Sequence, residues 1–188
     1  MTTLTICDAS TAGELETVRD FPAIAQRLAT IGVRLERWET DRPLNPDAQQ
    51  DEVLAAYADS VAALNAAHGF QSVDVVSLRP DHPKREEMRQ KFLAEHTHGD
   101  FEIRFFVDGS GLFYLHADGR VYMTLCTAGD LISVPANTTH WFDMGAAPSF
   151  KCIRFFTTAD GWVGHFTGSD IARRFPDFDS HRARLGLA

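Results

Sequence analysis

The chain has only three cysteines in 188 residues, Cys7, Cys126 and Cys152, an odd number set far apart. That excludes zinc-ribbon spacing and gives no basis for a disulfide framework. Each is expected to be a small buried residue in a protein of the reducing cytoplasm. Basic residues are also few: 18 Lys+Arg against 26 Asp+Glu leave a formal net charge of −8 at pH 7. With no basic cluster to offset it, binding to a phosphate backbone is not expected, so nucleic acid is not a partner. No apolar run is long enough to cross a bilayer, which argues against a membrane partner. The start, Met1-Thr2-Thr3-Leu4, has no basic segment followed by an apolar core, so no secretory signal is expected. There is no internal repeat and no low-complexity tract. No long apolar seam asks for a second copy, which points to a monomer. What is present is a 44% hydrophobic composition with 14 phenylalanines, enough for one domain with its own core.

The expected fold class is mainly β with α decoration, one domain over 1–188. Residues 1–95 read as mixed helix and strand. Leu4 and Ile6 suggest a short edge strand. Ile24, Leu28 and Ile31 form a helical stripe over 21–31 that Gly32 stops. Residues 33–38 alternate like a half-buried strand. Asn45-Pro46 reads as the start of a long helix carrying Val53, Leu54, Tyr57, Val61 and Leu64 and ending at Gly69. Residues 73–78 read as a strand, and Asp81-His82-Pro83 as the start of a helix with Met88 and Phe92 one turn apart. Residues 96–158 change texture to short strands between turn signals at Gly109-Ser110-Gly111, Asp118-Gly119, Ala128-Gly129-Asp130, Pro135-Ala136-Asn137 and 145–148. This pattern suggests a small sandwich or barrel. Residues 159–188 form a C-terminal extension, and the charged tail after Ile171 is expected to pack loosely outside.

The run His96-Thr97-His98-Gly99-Asp100-Phe101-Glu102 carries the chemistry, with His140 on a later strand. Alternation puts His96 and His98 on one face, and Glu102, Arg104 and Phe106 on one face if the extended path resumes after Asp100, with Phe101, Ile103, Phe105 and Val107 packed against the opposite side. Ionisable groups on a strand with bulk on both faces make sense inside a barrel, where a metal and a substrate offset their desolvation. Three imidazoles and one carboxylate fill four positions of an octahedron and leave two open, which favours chemistry over structural stapling. His68 and His82 read as helix-end residues, and His116, His165 and His181 lack ligand spacing.

The ordered pattern H-x-H-x3-E-x6-G ending at Gly109, then G-x5-P-x-N-x2-H from Gly129 to His140, resembles the paired motif of the cupin superfamily and its double-stranded β-barrel. Two positions depart from that pattern. Gln90 stands where the first motif has glycine, and Asn137 where the second does; asparagine tolerates a left-handed turn. The runs Glu102-Ile103-Arg104-Phe105, Val134-Pro135-Ala136 and His140-Trp141-Phe142-Asp143-Met144-Gly145 narrow the resemblance to the acireductone dioxygenases of methionine salvage. The length and the N-terminal helix-strand-helix order fit that family too.

The resemblance implies that His96, His98, Glu102 and His140 bind one Fe(II) or Ni(II). It implies a methylthio-substituted acireductone and O2 as substrates. The iron form would give 4-methylthio-2-oxobutanoate and formate, the nickel form 3-methylthiopropanoate, formate and CO. It assigns Arg104 to favouring the substrate dianion, Glu95 to metal incorporation and Phe101 to conformational change near the metal. The charge balance agrees: a divalent ion with one carboxylate and a dianion leaves one negative unit, which Arg104 can neutralise. Arginine cannot be the base. Phe92, Phe142 and Trp162 are candidates to wall the methylthio tail. Arg154 either holds substrate oxygens or forms an ion pair within the barrel. The residues alone leave other readings open: a different metallocupin isomerase or dioxygenase, or a cupin that only binds a ligand. The same ligands also suit manganese or zinc.

Overall fold

The computed structural model describes residues 1–158 and 163–187. Five helices and eleven strands follow one another as β1 (Thr3–Asp8), β2 (Glu14–Val18), α1 (Phe21–Ala29), β3 (Arg34–Arg37), α2 (Gln50–Ala56), α3 (Ala58–His68), β4 (Ser72–Leu78), α4 (Arg85–Leu93), β5 (His96–Thr97), β6 (Glu102–Ala117), β7 (Arg120–Thr127), β8 (Asp130–Val134), β9 (Thr139–Asp143), β10 (Phe150–Phe156), β11 (His165–Phe166) and α5 (Phe178–Arg184). Every strand pair is antiparallel. One wall runs β11-β5-β9-β6-β7-β1-β2; the other is β3-β8-β6-β10-β4. The mainly β class with helical decoration holds, in a two-walled arrangement of the cupin type. Among the described residues no ladder closes the walls into a complete barrel.

The walls meet because β6 belongs to both. Residues 102–105 pair with β8, and the same half of the strand pairs with β10; residues 112–116 pair with β9 and β7. Gly109-Ser110-Gly111, read as a turn, is instead a bend inside this 16-residue strand. Gly109 has φ +73 and a Cβ there would lie 1.9 Å from the Ser149 carbonyl oxygen, so only glycine fits the corner. The two-residue turn at Asp118-Gly119 forms as read, both residues at positive φ.

Strand alternation sorts the core into three layers. Between the walls lie Leu4, Ile6, Phe106, Phe113, Phe142 and Cys152, closed at one side by Ile24 and Leu28 of α1. Outside the second wall, Ile103, Phe105 and Phe155 meet Val53 and Tyr57. Outside the first wall, Tyr114, Met123 and Trp141 meet Ile171, Phe175 and Phe178.

Several local expectations change. Thr3–Asp8 is not an edge, because β1 lies between β2 and β7. The long helix from Asn45 begins instead at Gln50, where the Glu52 carboxylate accepts from the Gln49 N–H at 2.9 Å, and it breaks at Tyr57, whose side chain is buried. The helix expected from Asp81 starts at Arg85. The walls reach beyond 96–158, since β1, β3 and β4 pair with β7, β8 and β10. The tail is not loose: its apolar residues cover the first wall, and the Asp143 carboxylate accepts from the Phe178 N–H at 2.8 Å.

Candidate metal centre

His96 and His140 stand directly opposite each other across β5 and β9. His98 follows β5, and its carbonyl accepts from the Asn137 N–H at 2.7 Å. Asn137 has φ +62, so asparagine takes the left-handed turn where the motif has glycine and ties the second motif to the first. Glu102 opens β6. All four side chains are buried, with relative exposures of 5% (His96), 8% (His98), 2% (Glu102) and 2% (His140). Their donor atoms lie within 4.8 Å of one another.

Each imidazole has its Nδ1 against a backbone carbonyl: His96 on Ala94 at 2.7 Å, His98 on Val163 at 3.0 Å, His140 on Thr138 at 2.8 Å. A carbonyl can only accept, so the proton sits on Nδ1. In the neutral ring the Nε2 lone pair is then free to bind a metal. Glu102 Oε2 lies 3.1 Å from His98 Nε2 and 2.9 Å from His140 Nε2. Lone pairs facing a carboxylate at these distances repel unless a positive centre stands among them. A divalent transition metal fits this N3O donor set and also accounts for a fully buried carboxylate. Burial pushes His96 down to about 4, which keeps it neutral and able to ligate. With no ion between His98 and Glu102, a proton on His98 Nε2 would answer the same carboxylate: burial opposes that charge, but the Glu102 hydrogen bond and charge more than offset it and the net shift is upward. For Glu102, burial would favour the neutral acid; the Arg104 charge is the main influence against it, and the net effect holds the carboxyl well below the usual carboxylate range.

Arg104 is buried, with Nε 2.7 Å from Glu102 Oε1. Its guanidinium carbon lies 4.6 Å from the Phe142 ring centroid, 5.3 Å from Phe113 and 5.6 Å from Phe92. Phe92 and Phe142 therefore line the arginine, and Phe113, not singled out in the sequence, completes the set. Its place comes from the β6–β9 register, where Phe113 faces Phe142; no local sequence feature fixes that register. Arg154 does stand opposite Arg104 on β10, but its guanidinium is drawn to Asp74 on β4, with contacts of 2.8 and 2.6 Å. The ion-pair alternative is the one observed. Trp162 lies outside the described residues. Phe101 precedes β6 and is 46% exposed, rather than packed on the opposite side of the strand. Glu95 is buried, and its carboxylate accepts from His116 Nδ1 at 2.8 Å and from the Thr167 hydroxyl at 2.6 Å. No local sequence feature joins His116 and Thr167 to the site, because their partner is set by tertiary pairing.

A cavity of about 590 Å³ lies elsewhere, lined by Arg89, Tyr114, Trp141, Arg173 and Phe175. None of the four ligands borders it, since Trp141 and His140 point to opposite faces of β9.

The ARD/ARD′ family model matches residues 3–164. An acireductone dioxygenase of Methylococcus capsulatus is 59% identical over 181 residues, covering 96% of this chain and 97% of that protein. One from Aquifex aeolicus is 54% identical over 169 residues, covering 89% and 92%. The solved structure of the acireductone dioxygenase from Bacillus anthracis, with a cadmium ion in its active centre, superposes with a TM-score of 0.79 at 29% identity, covering 88% of this chain and 98% of that one. The chain thus belongs to the acireductone dioxygenase (ARD/ARD′) family.

Proposed function

We propose that this enzyme is a metal-dependent dioxygenase that cleaves the acireductone 1,2-dihydroxy-3-keto-5-methylthiopentene with O2 in methionine salvage. The observation that carries the reading is the convergence of three Nδ1-anchored imidazoles and one carboxylate, with a buried arginine beside them. His96, His98, Glu102 and His140 would hold one Fe(II) or Ni(II), which supplies Lewis-acid and redox chemistry when bound.

Arg104 supplies the fixed positive charge. Its aromatic surroundings exclude water and lower the local dielectric, so its field falls off less than it would in solvent. That field favours loss of the enediol protons and opposes the negative unit left when a dianion joins the centre. The guanidinium holds its own protons throughout. Phe92, Phe113 and Phe142 keep it in place by stacking and cation–π attraction. Arg154 has no direct part in this reading, being paired with Asp74 at the edge of the wall.

The iron form is expected to give 4-methylthio-2-oxobutanoate and formate; the nickel form, 3-methylthiopropanoate, formate and CO. Three free, buried cysteines support action in a reducing cytoplasm, and we read the active species as a monomer. The test is aerobic mixing of the acireductone with protein reconstituted separately with Fe(II) and Ni(II), following oxygen uptake and identifying products. Two different product sets support the reading. Tight binding of the enediol without oxygen uptake would point to a ligand-binding protein instead.

A further inference from the structure

The three imidazoles are not anchored alike. His96 and His140 donate to carbonyls two residues back, at Ala94 and Thr138, so forming their own strands already orients them. His98 instead donates to Val163, 65 residues along the chain. Its orientation depends on a separate strap, residues 163–167, being docked beside the ligands. The docking is close. A Cβ on Gly164 would lie 3.9 Å from both His96 Cδ2 and His98 Cε1, and the Phe166 ring stands edge-on to His96 at 5.7 Å.

Little apolar burial holds this strap. Val163 is 60% exposed and Phe166 57% exposed. The ladder to β5 contains only the pairs His165–Thr97 and Phe166–His96. The remaining hold is at Thr167. Its N–H donates to the Glu95 carbonyl at 3.1 Å and its hydroxyl to Glu95 Oε2 at 2.6 Å. The other Glu95 oxygen accepts from His116 Nδ1 at 2.8 Å, and His116 is fixed in β6 opposite Thr139 and Val121. A buried carboxylate is thus used to join the end of the strap to the first wall. A charge-assisted pair of this kind is strong for its size and directional.

We propose that Thr167 and His116 are positioning residues for the metal centre: through Glu95 they latch the strap whose Val163 carbonyl orients His98. Loosening the latch speeds release of the metal without unfolding the protein. The proposal rests on His98 being a metal ligand and needs nothing about the organic substrate.

The test uses the full chain loaded with Co(II), whose visible bands report its ligand field, and follows release to excess chelator. Thr167→Val keeps the shape of an exposed side chain and removes the hydroxyl. It is expected to release Co(II) about 10–100-fold faster, with altered visible bands and the unfolding midpoint of the metal-free protein unchanged. His116→Phe is expected to act in the same direction, and Thr167→Ser to restore the wild-type rate. Wild-type release and bands in Thr167→Val would overturn the latch, as would a Thr167→Ser variant no better than Thr167→Val. So would a fall in the metal-free midpoint that accounts for the faster release. His98→Ala separates the two levels of the argument. If it releases Co(II) no faster than wild type, or if the wild type takes up none, the metal-ligand reading itself fails and the latch with it.

Discussion

Arg104 is buried against Glu102 and flanked by three phenylalanine rings. A cation in such a place is costly unless its charge is used. Arg104→Met keeps much of the volume and removes the charge. Turnover with the acireductone is expected to fall by about 100-fold or more, in line with the loss of one preorganised electrostatic group. The pH needed for substrate ionisation should rise as well. Unchanged steady-state rates and an unchanged pH profile would show that the charge is not needed. At this scale much of the site was legible. Alternation with period two placed Glu102, Arg104 and Phe106 on one face and Ile103, Phe105 and Val107 on the other, and the core layers agree. Phe101 failed because the rule applies only inside a strand. Arg154 shows a second limit: parity gives the face of a side chain and not its partner, and Asp74 lies on a strand 80 residues earlier in the chain.

Among the elements, β6 decides the architecture. It is one strand in two walls, and its corner is Gly109. The nearest obstruction to a Cβ there is the Ser149 backbone, at 1.9 Å from its carbonyl oxygen and 2.7 Å from its carbonyl carbon, which cannot rotate away as a side chain would. Gly109→Ala is expected to destabilise the protein by about 2–4 kcal/mol in denaturant unfolding, from left-handed strain plus displaced backbone. Gly69→Ala is the comparison: it shares the positive φ but has nothing within 4 Å, so it should cost about 1 kcal/mol. Equal losses at the two sites would rule out the close approach as the cause. Glycine at 109 read as a turn in the sequence because a turn and a strand corner both need positive φ. Only the partner strand distinguishes them. The Asp118-Gly119 hairpin was readable because its chemistry is local.

For the whole molecule, the unexpected feature is the C-terminal part. Its charged sequence hid a buried apolar set, Ile171, Phe175 and Phe178, spaced irregularly across a 3-10 turn and a short helix. His181 is buried with them, and burial pushes its pKa down to about 4, with Arg184 acting in the same direction and Glu14 against it. The folded state therefore keeps His181 neutral while the unfolded chain takes up a proton near pH 6.5. This stability is fully present above pH 6.5 and declines as pH falls toward 4, by at most about 1.4 kcal/mol per pH unit. Urea unfolding of His181→Leu between pH 6.5 and 4.5 should show a shallower loss than wild type. Identical slopes would mean that the ring is solvated or charged in the folded protein.

Taken together, these layers bury four convergent metal-ligand candidates, His96, His98, Glu102 and His140. Oxygen uptake on aerobic mixing of the acireductone with the Fe(II)-loaded protein tests their proposed role most directly. The account predicts about one O2 consumed per acireductone, far faster than in the chelated protein, with 4-methylthio-2-oxobutanoate and formate as products. Uptake no faster than with the chelated protein, or a bound enediol left intact, would contradict it.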